Sequence, residues 1–130
     1  MQKREKRLAQ NIGVYLQTQY KDVIFRFDTG ADMKLTIGQA RSIQRLHGAK
    51  NKGYPDLFIA KSMNGYHGLY IELKSENIYL KDGSLSKSKH IQIQNDRLTE
   101  LRNEGYYAEF SVGFDKTKIL IDNYMKGRIK

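Results

Sequence analysis

Apolar residues recur along this chain in two rhythms, and the switches between them mark out its elements. Leu8, Ile12, Tyr15 and Leu16 fall on one stripe at helical spacing, which predicts a helix over residues 3–20. Val23 to Phe27 is a short β-branched and aromatic run that predicts a strand, ended by the turn formers Asp28 to Asp32. Thr36 is placed to cap a helix from Ile37 to His47, with Ile37, Ala40, Ile43 and Leu46 as its apolar stripe. Leu57 to Ala60 is continuously apolar, as in a strand covered on both faces. Asn64-Gly65 is a hairpin-turn signal, and Leu69 to Leu73 is the returning strand. Lys81 to Ser84 reads as a turn within residues 77–90, an exposed loop or small hairpin that is either a DNA- or partner-contacting insertion or a plain surface excursion. A helix follows over His90 to Asn103 and stops at Gly105, then a strand over Tyr107 to Val112. Asp115 is placed to cap a last helix carrying Ile119, Leu120, Ile121, Tyr124 and Met125. The predicted order is α-β-α-β-β-α-β-α, an α/β fold in which a mixed sheet is flanked by helices. With no repeat, low-complexity tract or linker, residues 1–130 read as a single domain.

The hairpin brings two acids to one place. Asp56 follows the only proline and begins the outgoing strand, while Glu72 lies on the returning strand. Residues two apart in a strand share a side, so Glu72 and Lys74 face the same way. A carboxylate pair at adjacent strand ends can share a hard divalent cation, with the Leu73 carbonyl as a further oxygen ligand. Each motif taken alone also occurs as a solvated strand end. The flanking Leu69, Tyr70, Ile71 and Leu73 point instead to an interior strand, where a carboxylate needs a partner: Lys74 or a metal.

Composition narrows the partner. The 130 residues carry 23 Lys+Arg against 14 Asp+Glu, a net charge of +9. A small domain this basic attracts polyanions, of which nucleic acid is the commonest, although the same charge also serves solubility. Arg41 and Arg45 share a helix face, and Lys50 and Lys52 lead from it towards Asp56. Lys87 and Lys89 lie in the polar, basic stretch before the third helix. Each is a candidate phosphate contact, with simple solvation as the alternative for any single one. Nine tyrosines are many for this length; Tyr54, Tyr66, Tyr70 and Tyr79 flank the hairpin, for packing or for stacking on bases. Zero cysteines exclude disulfides, thiolate zinc sites and Cys nucleophiles, and His47, His67 and His90 have no metal-ligand spacing. No apolar run is long enough for a bilayer and no signal-peptide pattern is present, so the expectation is an intracellular protein without membrane partners.

Three further residues complete the pattern. Glu5 sits three positions before Leu8 on the first helix, as a first-turn acid or as an inward carboxylate. Arg26 lies in the first strand, shortly before Thr29-Gly30, and is either a substrate contact or an outward-facing arginine. Gln94 falls on the apolar stripe of the third helix between Ile91 and Leu98, eleven residues before Gly105, and a core-side Gln needs partners. With Pro55-Asp56, fifteen intervening residues and Glu72-Leu73-Lys74, this chain resembles the VRR-Nuc family of PD-(D/E)xK restriction-endonuclease-like nucleases. The resemblance covers about residues 5 to 125; the long segment between Lys74 and Gln94 departs from shorter members. It implies Mg2+- or Mn2+-dependent DNA cleavage. In that reading Asp56, Glu72, the Leu73 carbonyl and Glu5 hold metal, Lys74 assists the water, and Gln94 orients water or Lys74. Stand-alone members, of phage and bacterial origin, resemble cutters of branched DNA and Holliday junctions, which implies a homodimer with two sites on one junction. The alternatives on the same scaffold are a binding module that does not cut and a structural subunit of a phage or repair complex.

Overall fold

The computed structural model describes residues 3–28 and 36–130. Its elements are α1 (Lys3–Gln19), β1 (Phe25–Phe27), α2 (Ile37–His47), β2 (Leu57–Ile59), β3 (Leu69–Lys74), α3 (Lys89–Asn103), β4 (Tyr107–Val112) and α4 (Phe114–Met125), in the order read from the sequence. The turn after β1 that includes Thr29-Gly30 lies outside the described residues.

One sheet organises the chain, in strand order β1-β2-β3-β4. The first three strands form an antiparallel meander, and β4 joins β3 in parallel after the α3 crossover. Asn64 (φ 50) and Gly65 (φ 88) occupy the left-handed positions of a two-residue turn closed by the Met63–Tyr66 bridge, and the pairing shifts by one residue between that bridge and the β2–β3 ladder, which sets its own register. In that register Leu57 faces Ile71 and Phe58 faces Tyr70.

Strand alternation then sorts β3 onto two cores. Leu69, Ile71 and Leu73 bury against Leu8, Ile12 and Leu16 of α1 and Ile121 and Tyr124 of α4. Tyr70 points to the other side, with Ile91 and Leu98 of α3 and Ala108 and Phe110 of β4. The α1 and α4 helices are also tied through polar groups, since the Tyr15 and Tyr20 hydroxyls both donate to Asp122 Oδ1. The tyrosines near the hairpin serve packing. Tyr70 stacks on Phe58 at 4.5 Å between centroids, and Tyr66 packs edge-on to Tyr107.

Two sequence expectations change, and the choice left open for residues 77–90 falls to the small hairpin. Thr36 caps α2 through a reciprocal capping box with Gln39, yet the apolar stripe of the helix is not buried. No α2 residue is buried, and Ile37 and Leu46 are 75% and 79% exposed. Asp115 does not cap α4. Gly113 holds that position at φ 82 with no side-chain cap, and Asp115 sits inside the first turn, where its charge suits the helix dipole. Residues 77–90 form a small hairpin closed by the Tyr79–Leu85 bridge, with Asp82 bonding to the Ser84 amide and hydroxyl. Ile78 anchors it in the α3-side core.

Gly105 ends α3 at φ 97 and lets the chain turn into β4. A Cβ there would approach the exposed His67 ring at 2.5 Å. The ring can swing away, so the strain lies mainly in the backbone. Gly105→Ala is expected to cost about 1–3 kcal/mol, read as a lower urea midpoint at unchanged slope. An unchanged midpoint contradicts this account of the turn.

Candidate active site

The site grows from the β2–β3 register. One step beyond the Leu57–Ile71 pair places Asp56 opposite Glu72, on the sheet side that carries Tyr70 and α3. Asp56 Oδ2 accepts a 2.9 Å bond from the Leu73 amide, which fixes the carboxyl beside β3. The Asp28 amide donates to the Asp56 carbonyl at 2.7 Å and holds its backbone from the β1 side. Gly53, at φ 79, lets the approaching loop lie against α3. A Cβ there would meet Ile93 Cγ2 at 2.9 Å and its carbonyl oxygen at 3.0 Å.

Glu72 is 3% exposed, Lys74 8% and Gln94 6%. The Gln94 amide donates to Glu72 Oε1 at 2.7 Å, and the Lys74 ammonium lies 3.9 Å from the same oxygen. Thus the Gln on the apolar stripe finds its partner in the strand acid. Two polar atoms stay buried without a protein partner: Glu72 Oε2 and Gln94 Oε1. Orphaned oxygens of this kind are costly and rare in a folded interior.

Burial pushes the Glu72 carboxyl well above the usual carboxylate range, and the adjacent Asp56 charge raises it further, against the opposing pull of Lys74. Burial also raises Asp56, offset by the Leu73 amide and by hydrogen bonding with Glu72. Burial and mutual repulsion therefore disfavour ionising the two carboxyls together, Glu72 more strongly than Asp56.

Glu5 is half-buried near the start of α1 and close enough for its charge to raise both acids. It lines the same cleft as Lys74, a space of about 290 Å³ at the end of β3. Among the described residues, no group of three or more His, Cys, Asp or Glu side chains is gathered closely enough to hold a metal. Asp56 and Glu72 are the intimate pair, and Glu5 stands at the rim. Their oxygens, including the orphaned Glu72 Oε2, together with the orphaned Gln94 Oε1, suit a hard divalent cation better than a soft one.

The cations read from the sequence differ in their freedom. Arg26 is exposed in mid-β1. Arg41 and Arg45 line a shallow hollow on α2 with Gln44. Lys50 is held at 2.7 Å by Glu100, an exposed ion pair. Lys52 is exposed, and its carbonyl accepts two bonds from Arg97. Lys87 is exposed before the Ser88 cap, and Lys89 opens α3. Sequence reasoning did not foresee two features of the cleft. Arg4 reaches Glu76 at 3.2 Å, and His90 lines the space beside Lys74. His90 had served only to mark a helix start, and no local spacing signals its neighbours on β3.

No family model and no curated protein matches the chain. A solved structure described as a "VRR_NUC domain protein" is similar at a TM-score of 0.71 and 24% identity, covering 98% of this chain and 92% of that one. The likeness spans nearly the whole of both chains rather than one motif. The fold of this chain is that of a VRR-Nuc domain.

Proposed function

We propose that the protein is a divalent-metal-dependent DNA endonuclease selective for branched substrates, and that it acts as a homodimer. The observation that carries the reading is the buried pair Asp56–Glu72, flanked by Lys74 and completed by Gln94, with Glu72 Oε2 and Gln94 Oε1 buried without a protein partner. A structural role alone does not account for it. A buried acid of an interior strand, a second acid beside it and an orphaned amide oxygen on the facing helix destabilise the chain unless another group uses them.

Asp56, Glu72 and the Leu73 carbonyl would hold Mg2+ or Mn2+, with Glu5 tuning the charge from the rim. Such a cation supplies charge stabilisation for the phosphoryl oxygens and makes water more acidic. The protein's own groups set the geometry. Asp56 is fixed by the Leu73 amide, and Gln94 fixes one Glu72 oxygen so that the other faces the site. Lys74, anchored in β3 and nearly buried, holds the attacking water or the charge that grows on the phosphate. Arg26, Arg41, Arg45, Lys50, Lys52, Lys87 and Lys89 supply phosphate contacts around the centre. Lys50 gives up an exposed ion pair to do so, at little cost. Selectivity for junctions and pairing of two copies follow the reading of VRR-Nuc resemblance. A two-fold dimer sets two such centres on one junction. No helix among the described residues is long and apolar enough to cross a membrane.

The test is cleavage of linear, flap and four-way DNA with Mg2+, Mn2+ or chelator, alongside light scattering. The expected result is cutting with either ion, none with chelator, and preference for branched DNA. Equal cutting of every duplex removes the branched-substrate reading. A monomer with and without junction DNA removes the dimer. Salt-sensitive binding without any cutting makes this a binding module instead.

A further inference from the structure

His90 carries no role so far, yet it opens into the same cleft as the catalytic cluster. It is the second residue of α3 and is exposed. It lines the cavity of about 290 Å³ together with Glu5, Lys74, Ser75 and Asn77. The Asn77 side chain is turned back onto Tyr79, accepting from its amide and donating to its carbonyl, so it is not free to meet a ligand. Lys74 reaches the cavity from β3 and is nine-tenths buried, with Glu72 at 3.9 Å as its ion-pair partner.

The charges facing this space come from three segments. Glu5 comes from α1, Lys74 from β3, and Glu76 from the turn after it. Glu76 is drawn to Arg4 at 3.2 Å, which neutralises the acid at the lip. The other side is the start of α3. The Ser88 hydroxyl accepts from the Ile91 amide, while the first amides of any helix lack intrahelical acceptors and favour an anion. The cavity therefore runs from a buried ammonium to an imidazole at a positive helix end. That is a path for consecutive phosphates of one strand.

We propose that His90 binds the phosphodiester adjacent to the one cut, donating an imidazole N–H to its oxygen and setting the strand's position over Lys74. This rests on the nuclease reading above and adds a substrate-positioning residue to it. Because His90 is exposed on a capped helix, His90→Ala leaves the fold intact.

The experiment measures kcat and KM for wild type, His90→Ala and His90→Gln on one branched DNA. It is repeated with a neutral methylphosphonate replacing each phosphate flanking the cut. On ordinary DNA, His90→Ala is expected to lose about 10- to 100-fold in kcat/KM, the equivalent of one charge-assisted hydrogen bond, mostly through KM. His90→Gln, which keeps a donor, recovers part of it. On DNA neutralised at one flanking position, wild type falls to the level of His90→Ala, and the substitution has no further effect, since residue and phosphate then act as one pair. His90→Ala within twofold of wild type overturns the inference and leaves the nuclease reading standing. So does a loss that persists unchanged on every neutralised substrate. If wild type cuts none of these DNAs, the nuclease reading falls, and this inference with it.

Discussion

Asp56→Asn is expected to reduce cleavage by about a thousandfold or more while DNA binding survives. The reasoning starts from what the substitution leaves in place. An Asn Oδ1 can still accept from the Leu73 amide, so the β2–β3 junction keeps its hydrogen bond. What is lost is the charge and, on the proposed reading, one of the carboxylates that would hold the metal. Losing several kcal/mol of transition-state charge stabilisation corresponds to about three decades at 1.36 kcal/mol per decade. Lys74→Ala is expected to lose about 100- to 1000-fold, since it removes one fixed positive group from the developing charge. The protein carries a net charge of +9, which neither change greatly alters. Affinity measured by anisotropy without divalent metal should thus stay within a few-fold for both variants, and Asp56→Asn should bind slightly tighter because one acid no longer faces phosphate. Asp56→Asn cutting within tenfold of wild type shows that the reacting phosphate lies elsewhere. Loss of binding in parallel with loss of cutting reduces Asp56 to a structural residue.

The parts of this centre that were legible in sequence are those set by short-range geometry. Asn64-Gly65 dictates a two-residue turn and so a β2–β3 hairpin, and the ladder, offset by one residue from the turn's own pairing, puts Asp56 across from Glu72. Strand alternation sends Glu72 and Lys74 together to the side opposite Leu73. Helical spacing likewise placed Gln94 inward between Ile91 and Leu98, where it meets Glu72. What the sequence did not show was what each face would meet. The α2 stripe satisfied the helical period, and the helix formed with the cap foreseen at Thr36, but periodicity reports an amphipathic helix and not its covering. The last helix begins after Gly113 because φ 82 there makes the turn from β4, a backbone requirement that outweighs Asp115 as a capper. Nothing local reports that Lys50 is taken by Glu100, fifty positions away, or that the start of α3 comes to rest beside Lys74. Long-range pairing of this sort is decided by the assembled sheet.

On the proposed reading, the burial that prepares the two acids for a metal makes the metal-free protein less stable, and this gives an expectation of opposite sign for fold and activity. Glu72 and Asp56 both have carboxyl groups raised by burial, Glu72 the more so because Asp56 stands beside it. Between the ordinary carboxylate range near pH 4 and those raised values, the native protein binds more protons than the unfolded chain. Stability therefore falls as pH rises through that window, and is greatest where both acids are protonated in either state. Glu72→Gln removes the group with the larger burden and keeps its shape, and Lys74 retains the Asp56 charge nearby. Without metal, the variant is expected to be about 1–3 kcal/mol more stable than wild type near pH 8, and close to it at pH 5, where Glu72 is already neutral. Mg2+ reverses the order. At about a hundred times its dissociation constant, a ligand specific to the native state adds about 2.7 kcal/mol. Wild type should gain that and Glu72→Gln almost none, while the variant's cleavage is abolished. Urea unfolding at the two pH values, with Mg2+ and with chelator, measures all four corners. A variant less stable than wild type at pH 8 in chelator shows that Glu72 is held ionised by Lys74, and that the strand acid supports the fold rather than straining it for the sake of a metal.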